Sequence, residues 1–121
     1  MPRTILDESC IHPAIRTKIE SWNNGIVHEV STAVAANALV VVGMRQNPFP
    51  AKARKALEAI GQSFKYLEYG SYFAMWRPRS ALKMWTGWPT FPMVFVKGVL
   101  VGGSSELQAL IDSGELKGML G

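Results

Sequence analysis

Few side chains in this sequence could carry covalent chemistry. Among its 121 residues there is one cysteine, Cys10, and there are two histidines, His12 and His28. A single cysteine can form no disulfide within the chain and no Cys-x-x-Cys pair. Neither histidine has a second or third ligand at metal-binding spacing. The remaining candidates are corners of the backbone. Asn47-Pro48-Phe49-Pro50 follows an apolar run and precedes a run of helix formers, so it reads as a strand-to-helix turn without sulfur. Asn47 can donate and accept hydrogen bonds or cap a helix, but attack on a disulfide takes a thiolate. Gly102-Gly103-Ser104-Ser105 opens another helix, where free N–H groups favour a carboxylate. Trp88-Pro89-Thr90-Phe91-Pro92 stands just before a strand, and Pro92 at that entry predicts a cis Phe91–Pro92 bond.

The elements that must position these corners follow from apolar period and punctuation. From Pro13 onward Ile15, Ile19 and Trp22 recur at helical spacing, and Asn23-Asn24-Gly25 ends that helix. Residues 26–37 carry a helical stripe, Val27, Val30, Val34 and Asn37, alongside a β-branched content that also suits a strand; we read a helix. Leu39–Gly43 is a short continuous apolar run of the kind found in buried, parallel strands. A loop over 44–49 follows, and Pro50 is expected to open a helix with Ala53, Ala56, Leu57 and Ile60 inward and Gly61 as its stop. A second strand over 64–69 completes a βαβ unit, expected to be right-handed. Residues 70–85 are mixed, with a helix near 78–85. Two short strands, 93–96 and 99–101, joined by Lys97-Gly98, predict an antiparallel hairpin. In the last helix Ser105 with Gln108 fits a capping box, Leu107, Leu110 and Ile111 face inward, and Gly114 ends it. Leu116, Met119 and Leu120 form a final short turn. The expected architecture is α/β, a mixed four-stranded sheet with flanking helices over 39–121, preceded by an N-terminal helical extension over 1–38.

Composition bounds the function. The hydrophobic fraction of 48% is ordinary for a globular chain. The net charge of +4 is spread along the sequence rather than gathered in a stripe, so no nucleic-acid partner is expected. No apolar run approaches the roughly 20 residues that span a bilayer, so no membrane partner is expected either. Asp7 and Glu8 fall where a signal peptide needs its apolar stretch, which predicts a cytoplasmic location.

Three features occur together: the Asn47-Pro48-Phe49-Pro50 corner, Trp88-Pro89-Thr90-Phe91-Pro92 before the third strand, and a hairpin closing on Gly102-Gly103 at a helix start. In this order they resemble a glutaredoxin, of the thioredoxin-fold superfamily, over residues 39–120. The likeness is densest from Gly87 to Gly103, which is similar to the monothiol branch. The resemblance implies a thioredoxin/glutaredoxin fold and glutathione, or a similar peptide, as ligand. Phe91, beside Pro92 and Thr90, would pair its backbone with the cysteinyl residue of glutathione. Gly103, Ser104 and Ser105 would hold the γ-glutamyl carboxylate, although the family usually has Asp at position 105. Arg79, nine residues before Trp88, and Arg45, after the first strand, would meet the glycyl carboxylate.

The departure lies at the active turn, where the family reads Cys-Pro-Tyr-Cys, Cys-Pro-Phe-Cys or Cys-Gly-Phe-Ser. With Asn47 and Pro50 in place of cysteines the site is expected to be degenerate, with no catalytic residue and no iron–sulfur cluster. The reading is a glutathione-binding protein without thiol–disulfide catalysis. Two alternatives stand beside it. One is a protein-interaction module using the Phe49 and Trp88 face. The other is an oxidoreductase of redox homeostasis working through Cys10 or a partner's thiol.

Overall fold

The computed structural model describes residues 3–45, 47–70 and 75–121. Position 46 of the expected 44–49 loop and 71–74 of the mixed segment lie outside the described residues. After a 3-10 turn at Glu8–Cys10, the order is α1 (Pro13–Ser21), α2 (Asn24–Ala36), β1 (Leu39–Gly43), α3 (Pro48–Ala59), β2 (Lys65–Glu68), α4 (Trp76–Thr86), β3 (Met93–Val96), β4 (Val99–Gly102), α5 (Ser104–Ser113) and α6 (Glu115–Leu120). The strands form one mixed sheet in the order β2-β1-β3-β4, with β1 parallel to β2 and antiparallel to β3, and β3 antiparallel to β4.

The apolar run of β1 makes physical sense in this sheet. Successive strand side chains point to opposite faces, and both faces are covered. Val40 and Val42 pack with Ile26 and Val30 of α2, Ala81 and Leu82 of α4, and Phe91, Met93 and Phe95. Leu39 and Val41 pack on the other face with Ala53 and Leu57 of α3, Val94, Val96, Leu107 of α5 and Leu116 of α6. Helix α2, which by sequence lies in the extension, therefore supplies core residues. Helix α1 behaves differently: Ile15, Ile19 and Trp22 at its C-cap remain 45%, 46% and 38% exposed, so the other described residues cover its apolar stripe only in part.

Local chemistry fixes the corners. Lys97 and Gly98 both take positive φ, 51° and 83°, the pair of left-handed residues that a tight two-residue hairpin turn requires. Several boundaries differ from the sequence expectation. Helix α3 starts at Pro48, two residues before Pro50, because Asn47 provides a side-chain cap; both prolines then sit in the first turn, where no N–H is needed. The same helix ends with Ile60 as its C-cap, 43% exposed rather than inward. Helix α4 starts at Trp76, so Pro78 again falls in a first turn. The expected Ser105 and Gln108 capping pair is replaced: Gly103 is the N-cap, and Glu106 Oε1 accepts from its N–H at 2.9 Å. Gln108 instead donates to Asp112 Oδ1 at 2.9 Å. The Phe91–Pro92 peptide bond is cis.

Candidate functional site

The register of the sheet brings one end of three strands together. Val42 of β1 pairs with Met93 at the start of β3, and Val94 pairs with Gly102 at the end of β4. The β1–α3 corner, the loop before β3 and the β4–α5 corner therefore meet above the same sheet end. They enclose an open cleft of about 500 Å³. Met44, Asn47 and Phe49 line it from the first corner, Pro89, Thr90, Phe91 and Pro92 from the loop, and Gly103, Ser104, Ser105 and Glu106 from the last corner; Lys83 of α4 completes it.

Asn47 ties two walls together. Its Oδ1 accepts from the Phe49 N–H at 3.0 Å, and its Nδ2 donates to the Phe91 carbonyl at 3.3 Å. This has an electrostatic consequence. A helix start ordinarily offers free N–H groups to an anion. In α3 the first and third residues are Pro48 and Pro50, which have none, and the Phe49 N–H between them is already satisfied. The helix end nearest the turn thus presents no unpaired donor in its first three positions. The start of α5 differs: Ser104 and Ser105 are its first two residues and carry N–H groups without helical partners, with hydroxyls beside them.

The cations are placed otherwise than the sequence suggests. Arg79 is 6% exposed, donates from Nη1 to the Tyr69 carbonyl at 3.0 Å, and does not line the cleft. Arg45 points to solvent, with Nε 3.7 Å from Glu68 Oε2 of β2, and is also outside the cleft lining. Among the described residues the cation that does line the cleft is Lys83, whose Nζ lies 5.7 Å from the centroid of the Phe91 ring. Sequence reading missed it. Its position four residues after Arg79 puts both on one face of α4, but that spacing does not say which of the two turns is buried and which reaches the opening. Glu106, the acid among the described lining residues, was likewise given no firm role from sequence.

Two other expected anchors differ in exposure. Phe49 is 48% exposed at the rim, with Lys52 Nζ 5.1 Å from its ring centroid. Trp88 is half-buried against the α2–α4 core, its backbone N–H donating to Thr86 Oγ1 at 3.1 Å. Cys10 is exposed in the turn at Glu8–Cys10 and is not among the lining residues. Among the described residues no group of three His, Cys, Asp or Glu could hold a metal ion, and no helix is long and apolar enough to cross a membrane.

The family model described as Glutaredoxin matches residues 39–101. A glutaredoxin-like protein of Dictyostelium discoideum is 45% identical over 98 residues, covering 81% of this chain and 80% of that protein. A probable monothiol glutaredoxin, GrlA, of Legionella pneumophila is 39% identical over 77 residues, covering 64% of this chain and 83% of that protein. Among solved structures, a buckwheat glutaredoxin–glutathione complex superposes with a TM-score of 0.71, covering 84% of this chain and 92% of that chain; at 23% identity this likeness concerns the fold. The mixed four-stranded sheet with its flanking helices is the thioredoxin/glutaredoxin fold, and the chain belongs to the glutaredoxin family.

Proposed function

We propose that this chain binds glutathione, or a short peptide of similar charge, in the cleft and does not catalyse thiol–disulfide exchange at the turn beside it. The observation that carries this reading is the cleft itself: Lys83, the Phe91 backbone and the α5 start surround a position, Asn47, that holds an amide. The family relationship and the glutathione bound by the buckwheat protein support the choice of ligand. Lys83 would meet the glycyl carboxylate. The free N–H groups of Ser104 and Ser105, with their hydroxyls, would hold the γ-glutamyl carboxylate. The Phe91 backbone would pair with the cysteinyl residue in the manner of an added strand. The ligand's sulfur would then face Asn47, which cannot form the mixed disulfide that exchange passes through. The site is in this sense degenerate, and its chemistry stops at binding.

Two measurements test the reading. Calorimetric titration with reduced glutathione should give a saturable one-site isotherm; its absence at millimolar concentration would overturn the proposal. A glutathione-coupled disulfide reduction assay should show no turnover above background. Turnover that vanishes in Cys10→Ser would instead establish an enzyme acting through Cys10.

A second reading has its own observation, the exposed Phe49 ring at the cleft rim. A protein partner docking there would lose affinity on Phe49→Ala, and equal recovery of partner by wild type and variant would count against this face.

A further inference from the structure

The cleft's backbone recognition groups are not all open. The Phe91 carbonyl lies outside the β3 ladder, which begins at Met93, and it receives the Asn47 Nδ2 at 3.3 Å. The Gly103 N–H is engaged as well, donating to Glu106 Oε1 at 2.9 Å. One backbone acceptor and one backbone donor facing the cleft are thus occupied by side chains of the same chain. The first is unusual in its geometry. Asn47 bridges 44 residues of sequence, and its amide makes both its bonds at once, accepting from Phe49 N–H and donating to Phe91.

We propose that Asn47 is an intramolecular clasp that engages the peptide-pairing carbonyl of Phe91 and competes with a peptide ligand for it. The proposal rests on the glutathione reading above and adds a regulatory step to it. In the closed arrangement an asparagine amide holds the place of a peptide N–H, so the free protein resembles its own complex at this one bond. A ligand N–H competes with the Nδ2 donor, and to the extent that pairing takes the open clasp the apparent affinity is scaled down by the open fraction. The Phe49 bond biases that fraction towards closed, since it fixes the Asn47 side chain in the rotamer that reaches Phe91. The residue at the turn therefore does more than lack a sulfur atom: it sets how readily the cleft accepts a peptide.

The test compares wild type with Asn47→Ser. Serine keeps an oxygen that can cap the Phe49 N–H and so preserves the start of α3, but its hydroxyl is too short to reach Phe91. Titration with reduced glutathione should show Asn47→Ser binding about three- to ten-fold more tightly, the worth of one net hydrogen bond. A thermal melt within a few degrees of wild type should accompany it. Measurable but equal affinities, or weaker binding by the variant, would overturn the clasp while leaving the glutathione reading intact. Binding detected in the variant alone would support the clasp in its strongest form. No binding to either protein would overturn both. A second readout uses the wild type alone: the side-chain amide resonances of Asn47 should move on saturation with glutathione, and signals unmoved at saturation would refute the exchange of donors.

Discussion

Lys83→Met separates the residue the structure places at the cleft from the one that sequence pattern favoured. Methionine keeps the length and the apolar stem and deletes the charge. A hydrogen bond to a charged group contributes about 1.5–3 kcal/mol, but Lys83 is exposed and water competes for its ammonium. Exposed ion pairs retain only about 0.2–1 kcal/mol. The upper end of that range suits a ligand held on several sides, so we expect a loss of about 1 kcal/mol, or about five-fold in Kd. Calorimetry should be run with glutathione and with its glycyl monoester, which lacks the carboxylate in question. Wild type should bind the ester about five-fold more weakly, whereas Lys83→Met should bind both ligands alike, because the two deletions remove the same contact. High salt should narrow the wild-type difference, since screening shortens the reach of exposed charges. Arg79→Met makes the control. It removes a buried guanidinium that donates to the Tyr69 carbonyl, so it should lower the thermal midpoint and leave the affinity of the folded fraction unchanged. Additive losses in the Lys83→Met and ester combination would refute the placement of the glycyl carboxylate at Lys83.

Other substitutions probe the frame. Asn47→Cys returns a thiol to the turn and should give glutathione-dependent disulfide reduction above the wild-type background, while loss of the cap should cost about 1 kcal/mol by urea melt; a folded variant without turnover would show that the thiol alone is insufficient. Leu57→Ala, in a residue fully buried against β1, should destabilise by about 2–5 kcal/mol in the same melt. Cys10→Ser should leave glutathione affinity unchanged by calorimetry, because Cys10 does not line the cleft. Alkaline pH should weaken the fold. Burial, then the hydrogen bond to Glu29 at 2.6 Å, pushes the Tyr69 hydroxyl well above its ordinary range; burial and Glu68 push Tyr66 up to about 12. Below about pH 10 both states keep these protons and the two tyrosines add no pH dependence. Above it the unfolded chain releases protons that the folded chain retains, so unfolding becomes easier with rising pH. Urea melts at pH 9 and 11 should show the fall, and Tyr69→Phe should reduce it.

The order of elements was legible because it depends on near neighbours. The β1 run, the Lys97-Gly98 turn, the glycine stop after α5 and the loop rich in proline before β3 each act through local sterics or through burial periodicity. Helix starts were read less well. Pro50 and Ser105 both fit their expected roles by pattern, yet the caps are Asn47 and Gly103, since a cap is decided by which oxygen reaches which N–H. The charges were read least well. Arg79 and Lys83 stand one turn apart on α4, and nothing in the sequence says which turn faces Tyr69 and which faces the opening.

By itself, then, the sequence determined the family, the sheet and the absence of sulfur at the turn Asn47-Pro48-Phe49-Pro50, because composition and local pattern carry that information. Only the tertiary structure decided what fills that turn. The bond from Asn47 to the Phe91 carbonyl, the approach of Lys83 to the Phe91 ring and the burial of Arg79 against the Tyr69 carbonyl each join residues on different elements. Their distances are set by how β1, α4 and the loop before β3 pack, and side-chain reach across such a gap is not written in the spacing of residues along one chain.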